Sequence, residues 1–260
     1  MEIFPSALKY EDMETAKTLR ARAFIKVQDG CDNFCSYCII PYLRGRSRSR
    51  DPRAVYEEIK ALAPAEAVLG GINLTSYNYE GVRLTGLIRE LSSLDTRIRL
   101  GSLEVGVIDD EFLTATKELK NFAPHFHLSL QSGSDETLKK MNRKYTTAEF
   151  LDKVALIRKY YPDAGLTTDI IAGFPTETEE NFAETLAFVD KAGFTDIHPF
   201  TYSPRSGTAA FKMKDLPFAV KKERTERLMA KKAELKAAFV ESSLGKTFDL
   251  LAEEFKNGFT

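Results

Sequence analysis

Residues 24–38 read Phe24-Ile-Lys-Val-Gln-Asp-Gly-Cys31-Asp-Asn-Phe-Cys35-Ser-Tyr-Cys38, a strand-like run that opens into three closely spaced cysteines, the only ones in the 260-residue chain. Thiolates are soft ligands, and a short loop carrying several can coordinate a metal or an iron–sulfur cluster. In a [4Fe–4S] cube, one cysteine fewer than the number of irons leaves one iron open to bind and reduce a substrate.

Two plainer readings compete. A structural zinc site would need a histidine to close its tetrahedron, yet His125, His127 and His198 all lie outside the downstream spacing of a zinc finger. A disulfide framework is disfavoured by the odd number of cysteines in a chain of this size.

Working outward from the loop, strand-like runs alternate with helical periods. The strand candidates are Phe24–Gln28, Ala67–Leu69, Ile98–Leu103, Phe126–Leu130, Leu166–Ala172 and Asp196–Tyr202. Between them, Val55, Ile59 and Leu62, then Leu84, Leu87, Ile88, Leu91 and Leu94, then Phe182, Leu186 and Val189 repeat at amphipathic spacing. Repeated β-then-α units predict an α/β fold, a partial (β/α)6 TIM-like barrel with a parallel sheet and external helices. In such barrels chemistry sits on loops at the C-terminal ends of strands. Those ends carry Cys31, Cys35 and Cys38, then Gly70-Gly71, Glu104, Gln131-Ser132-Gly133, Gly173-Phe174-Pro175 and Tyr202-Ser203-Pro204-Arg205. A long charged helix is predicted from about Phe218 to Ser243, with Leu228, Leu235 and Phe239 for packing, and Thr247–Glu253 reads as strand-like.

Composition narrows the function classes. With 43% hydrophobic residues the chain can bury one large core, and its net charge of −1 gives no global pull toward nucleic acid or membrane. The first twenty residues lack a signal-peptide core and no run approaches a membrane span, so a soluble, cytoplasmic protein is expected, without a membrane partner. One basic feature is local: Arg44, Arg46, Arg48 and Arg50 alternate directly after the cysteine loop and are candidates for phosphate contact. The competing reading is a solvated edge pairing with Asp51, Glu57 and Glu58.

The string from Arg22 to Arg50, with His127-Leu-Ser-Leu-Gln-Ser-Gly-Ser134, Met141-Asn-Arg-Lys-Tyr-Thr146, Thr168-Asp-Ile-Ile-Ala-Gly-Phe-Pro-Thr-Glu-Thr-Glu179 and His198-Pro-Phe-Thr-Tyr-Ser-Pro-Arg-Ser-Gly-Thr208, resembles the radical S-adenosylmethionine (SAM) core of the methylthiotransferases. The resemblance covers about Arg20 to Glu241 and is strongest to the branch that methylthiolates threonylcarbamoyladenosine beside the tRNA anticodon. Sister branches act on isopentenyladenosine in tRNA or on a ribosomal-protein aspartate. The resemblance implies a [4Fe–4S] cluster on Cys31, Cys35 and Cys38, with SAM bound to the free iron and cleaved to a 5′-deoxyadenosyl radical. It also implies tRNA, a reducing electron donor and a sulfur source as partners, and leaves the catalytic residues beyond the cluster unassigned.

By the same resemblance, Tyr37 would contact the SAM adenine, or simply pack over the cluster, and Gly70 and Gly71 would let backbone approach the SAM amino group. The wider superfamily carries an acidic residue after such glycines. Here Ile72-Asn73 follows, so Asn73 or backbone carbonyls would serve instead. Glu104 and Gln131 would be polar contacts to SAM, or caps of their strand ends. Complete family members add an N-terminal domain with a second cluster and a C-terminal RNA-binding β-barrel. Residues 1–21 are accordingly expected to be a linker, 22–243 the radical SAM core with its C-terminal helix, and 244–260 the start of a TRAM-like module. The alternative from a different class is a zinc-bound, non-catalytic RNA-binding module.

Overall fold

Alternation along each strand sets the layers. In β1 (Arg22–Lys26), Ala23 and Ile25 are buried while Phe24 and Lys26 are exposed, because successive side chains point to opposite faces. The buried set joins one core with Val55 and Ile59 of the helix that follows, so helices cover one face of the sheet and the other lines the barrel interior. The computed structural model describes Tyr10 and residues 21–252. The expected linker therefore lies almost wholly outside the described residues, as does the end of the expected C-terminal module.

After β1 come β2 (Gln28–Asp29), α1 (Ile40–Arg44), β3 (Arg48–Ser49), α2 (Pro52–Leu62), β4 (Glu66–Gly70), β5 (Asn78–Tyr79), β6 (Val82–Arg83) and α3 (Leu84–Glu90). Then follow β7 (Arg97–Leu100), β8 (Ser102–Leu103), α4 (Asp110–Glu118), β9 (His125–Leu128), α5 (Asp135–Lys140), α6 (Thr147–Tyr160), β10 (Gly165–Ala172), α7 (Glu179–Ala192), β11 (Asp196–Thr201) and α8 (Phe218–Ser243). Strands β1, β4 and β7 form one parallel sheet and β8, β9, β10 and β11 another. The expected strand over Ile98–Leu103 is thus split at Gly101, whose N–H turns to Leu69 O at 2.9 Å. Its first half pairs back with β4 and its second half forward with β9, which makes the two sheets one curved half-barrel in chain order.

Local chemistry sets the helix ends. Asp51 caps α2 by accepting from the Arg53 N–H and Pro52 opens the helix. Thr146 with Glu149, and Thr178 with Asn181, form reciprocal capping boxes at α6 and α7. Helix α8 spans the predicted range. Leu228 is fully buried and Leu235 packs against the core, whereas Phe239 is exposed on the outer turn.

Three strand expectations shift. The chain leaves β1 at Val27, and Gln28 belongs to a short antiparallel ribbon with β3 instead. Strand β9 stops at Leu128, because the Ser129 and Leu130 carbonyls turn to the Tyr145 hydroxyl rather than to a neighbouring strand. The tail expected to be strand-like from Thr247 has no regular structure as far as Ala252. No adjacent strand among the described residues pairs with it, and its Asp249 carbonyl accepts from Arg97 instead.

Candidate active site

The cysteine loop begins where β1 ends and is tied down at both sides. Gly30 has φ +73°, and a Cβ there would meet the Arg46 carbonyl oxygen at 2.0 Å, so only glycine lets the loop cross the arginine ribbon. The Cys31 N–H then donates to Gly45 O at 3.1 Å. Farther on, the Ser36 N–H donates to Met141 O at 2.9 Å, Ser36 Oγ to Lys140 O at 2.8 Å, and Asn142 Nδ2 to Phe34 O at 2.9 Å. The α5–α6 turn thus straps the middle of the loop.

These ties leave a cavity of about 250 Å3 at the C-terminal mouth of the half-barrel. Cys31, Cys35, Cys38, Tyr37, Asn73, Glu104 and Gln131, all singled out from sequence, line it together. Gly70 ends β4 and Gly71 follows it, next to the cavity without lining it. Tyr37 also packs edge-on against Phe174, ring centroids 6.4 Å apart, so it joins the mouth to a small second core with Met141 and Tyr202. Gln131 sits at φ +73° in the left-handed region, a strained conformation for a non-glycine residue that often marks a functional strand end. Ser132 and Gly133 instead turn away toward α7, where Thr185 Oγ1 engages both. Larger hollows at the opposite end of the barrel, one of about 480 Å3, contain no cysteine.

Two charged lining residues had no role assigned from sequence. Arg143 has a side chain only 5% exposed; its guanidinium lies 2.8 Å from Glu104 Oε1 and donates to Cys35 Sγ at 3.3 Å and Ser129 O at 2.9 Å. Asp169 on β10 pairs with His127 Nε2 at 3.2 Å while facing the same cavity. Both lie inside the strings quoted above. Period-2 alternation in β10 could have flagged Asp169, since it points opposite to the buried Ile170, but nothing local predicts that Arg143 reaches a loop more than a hundred residues earlier.

Burial pushes the Cys31 and Cys38 thiols up from their ordinary range, and a bound metal would displace their protons. Burial works against the charge on Arg143, but Tyr145, Glu104, Tyr37 and Cys35 outweigh it and hold the group above its ordinary value. A fixed cation therefore stands beside the thiols. The arginine run divides. Arg50 is buried and pairs with Glu58, and Arg48 pairs with Asp29 at 2.8 Å, whereas the side chains of Arg44 and Arg46 remain 52% and 73% exposed beside Asp29 and Asp32.

Residues 25–189 match the Radical SAM superfamily, well over half of the chain. The chain belongs to the radical SAM superfamily. This radical SAM chain is 40% identical to a tRNA-2-methylthio-N(6)-dimethylallyladenosine synthase of Acetivibrio thermocellus, over 89% of its own length and 50% of the relative's. It is 39% identical to the threonylcarbamoyladenosine tRNA methylthiotransferase MtaB of Bacillus subtilis, over 94% of its length and 56% of the relative's. It thus spans about half the length of these curated relatives. Among solved structures it resembles the radical SAM methyltransferase TsrM of Kitasatospora setae, with a TM-score of 0.62 at 17% identity over 72% of this chain and 35% of that one. It also resembles coproporphyrinogen III oxidase of Escherichia coli, with a TM-score of 0.59 at 19% identity over 85% of this chain and 55% of that one. These two likenesses confirm the partial-barrel fold.

The donor set suits the superfamily's [4Fe–4S] cluster and SAM. Among the described residues no three His, Cys, Asp or Glu side chains gather around a single ion, as zinc would require, whereas a cube attaches each thiolate to a different iron. His127 and His125 are engaged with Thr167 inside the barrel, at 2.9 and 3.0 Å. The zinc-module alternative is therefore not favoured.

Proposed function

We propose that this chain is the radical SAM core of a tRNA methylthiotransferase acting on the hypermodified adenosine beside the anticodon, and within that class on N6-threonylcarbamoyladenosine. The observation that carries this reading is the assembly of Cys31, Cys35 and Cys38 with Arg143, Glu104, Gln131 and Asp169 around one cavity. The near-40% identity to methylthiotransferases of both tRNA branches supports the class.

In this reading Cys31, Cys35 and Cys38 hold the cluster. With SAM on its free iron, the cluster supplies one-electron cleavage of a carbon–sulfur bond and a hydrogen-abstracting radical. The protein's part is to bind, orient and exclude water. Arg143 would be the buried cation that receives the SAM carboxylate, and Glu104, Asp169 and Gln131 would be acceptors for its ribose hydroxyls. Gly70, Gly71 and Asn73 offer backbone and amide groups at the end of β4, and Tyr37 with Ile72 and Leu103 forms the apolar wall for adenine. Domain limits follow the same reading, with the core over 22–243 and flanking segments belonging to separate modules. The described residues contain no helix long and apolar enough to cross a membrane, in keeping with a cytoplasmic tRNA enzyme.

Support for the threonylcarbamoyl branch comes from the barrel interior. Lys26, His127 and His198 occupy positions on the face turned from the helices, where a substrate carboxylate would find hydrogen-bond donors. Phe24 and Phe200 on that face, 65% and 54% exposed, suit a dimethylallyl group and favour the second branch. The modified-nucleoside profile of a strain lacking the full-length gene decides. Loss of the methylthio group from threonylcarbamoyladenosine, with its unthiolated precursor accumulating, is expected; the same loss from dimethylallyladenosine would move the enzyme to the other branch. Electron donor and sulfur source are external partners in either case.

A further inference from the structure

Gln28 is fully buried two residues past β1 and contacts three separate segments. Its Nε2 lies 2.7 Å from Gly30 O and 2.9 Å from Asp29 O, at the start of the cysteine loop, and 2.9 Å from Ser47 Oγ in the arginine ribbon. It also lies 3.2 Å from Ser76 Oγ. Its Oε1 accepts from the Asn73 N–H at 2.9 Å. Ser47 Oγ and Ser76 Oγ close the knot at 2.9 Å, and Ser76 Oγ donates to Asn73 O at 2.8 Å. The glycine turn lies directly on this side chain, since a Cβ at Gly71 would meet Gln28 Oε1 at 2.9 Å and its Cβ at 3.0 Å. Beyond the turn, Asn73 Nδ2 reaches toward Cys31 Sγ at 3.9 Å.

A side-chain amide can donate to carbonyls on one side and accept from a backbone N–H on the other. A carboxylate would face Gly30 O, Asp29 O and two serine oxygens with no proton to give, and an apolar residue would leave Asn73 N–H and these oxygens without their partner in a buried place. We propose that Gln28 is a positioning residue that sets the Gly70–Asn73 turn at a fixed distance from the cluster loop, so that the groups expected to receive the SAM amino end face the open iron. This rests on the reading that the turn contacts SAM. The cysteine loop has further ties of its own, through Gly45, Met141 and Asn142, which remain when Gln28 is replaced.

The test uses the reconstituted chain with Gln28→Leu and Gln28→Glu, beside Tyr77→Phe as a control. Tyr77 makes a buried hydrogen bond to Arg50 O at 2.6 Å in the same neighbourhood, away from the turn. Iron content should stay at the wild-type level in all variants. SAM affinity, read from the SAM-dependent change in the electron paramagnetic resonance (EPR) spectrum of the reduced cluster, should weaken by about tenfold in both Gln28 variants, the loss expected for a buried hydrogen bond. It should remain unchanged in Tyr77→Phe. In metal-free protein the Asn73 amide should lose hydrogen-exchange protection in Gln28→Leu, a readout independent of any cluster. Equal SAM affinity in wild type and both Gln28 variants overturns the inference, as does iron loss from both or an equal weakening in Tyr77→Phe. Failure of the wild type to bind SAM would instead defeat the cofactor reading on which the inference rests, and the inference with it.

Discussion

At the floor of the half-barrel Glu66 is fully buried and takes Arg22 Nε at 2.6 Å, Arg99 Nε at 2.8 Å and Arg97 Nε at 3.3 Å. At the mouth Arg143 is almost as buried, but its partners are Glu104, a thiol and a carbonyl around an open cavity. The floor has arginines converging on a single carboxylate that they keep ionised, its value lowered despite the opposing effect of burial, through hydrogen bonds and charge from Arg99 and Arg22. The mouth has a lone cation among groups that a cluster and its cofactor would engage. Phe34, Gln131 and Asn142 hold positive φ of 47°, 73° and 60° around the cysteine loop, the kind of conformation that persists where surroundings over-determine it. The buried charge at Glu66 is thus wholly enclosed by its partners, whereas that at Arg143 faces a cavity.

The sharpest way to break the comparison is at the thiols. Cys31→Ala, Cys35→Ala or Cys38→Ala should each abolish the cluster in anaerobic reconstitution, since the chain has no spare cysteine to substitute. Circular dichroism should be preserved, because the loop is held by other hydrogen bonds. A normal iron count in any of the variants removes the mouth from the chemistry.

At the floor the loss should be of stability alone. Glu66→Gln leaves three partly exposed guanidiniums without their counter-charge and should cost about 1–3 kcal/mol in denaturant unfolding, with iron per folded molecule unchanged. The pH dependence points the same way. Burial, with charge from Arg99, depresses His125 from 6.5 to about 4, so the unfolded chain binds this proton more readily. The contribution is complete above 6.5 and is lost as pH falls toward 4. Glu66, also depressed in the fold, contributes above its ordinary carboxylate range and loses that contribution as pH falls through its lowered value. Unfolding free energy should therefore drop on acidification, and His125→Asn should flatten the segment between 4 and 6.5. A flat profile in the parent would contradict the lowered value of the half-buried His125.

Much of this contrast was legible in the sequence. The strand and helix periods place the barrel, the predicted α8 range coincides with the observed helix, and seven of the singled-out residues line one cavity. What local reading does not supply are contacts between distant segments. Arg143 reaches Cys35 only after α5 and α6 are packed, Gln28 joins segments tens of residues apart, and the third strand is broken by a hydrogen bond from Gly101 to β4. The arginine run shows the limit best. Its spacing suggested one basic face, whereas folding sends Arg48 and Arg50 to Asp29 and Glu58 and leaves Arg44 and Arg46 outward.

Within the mouth, Arg143→Gln should retain iron but weaken SAM binding by about tenfold to a hundredfold, the range for a charge-assisted hydrogen bond. Titration of SAM against the reduced cluster measures it, and unchanged affinity would return Arg143 to a purely structural pairing with Glu104.

The smallest effect is expected on RNA. In the full-length enzyme, Arg44→Ser with Arg46→Ser should lower the slope of log affinity against log salt by about 0.7–0.9 for each phosphate that the protein no longer neutralises. Arg48→Ser should act on stability instead, through its pair with Asp29. An unchanged slope in the double variant removes Arg44 and Arg46 from phosphate contact.

The central claim, a three-thiolate loop built for an open-iron cluster, is tested most directly by metal analysis of the reconstituted chain with EPR before and after addition of SAM. The account predicts about four irons with matching sulfide per chain and a spectrum that changes on SAM binding. A single zinc per chain, or an iron cluster whose spectrum is indifferent to SAM, would contradict it.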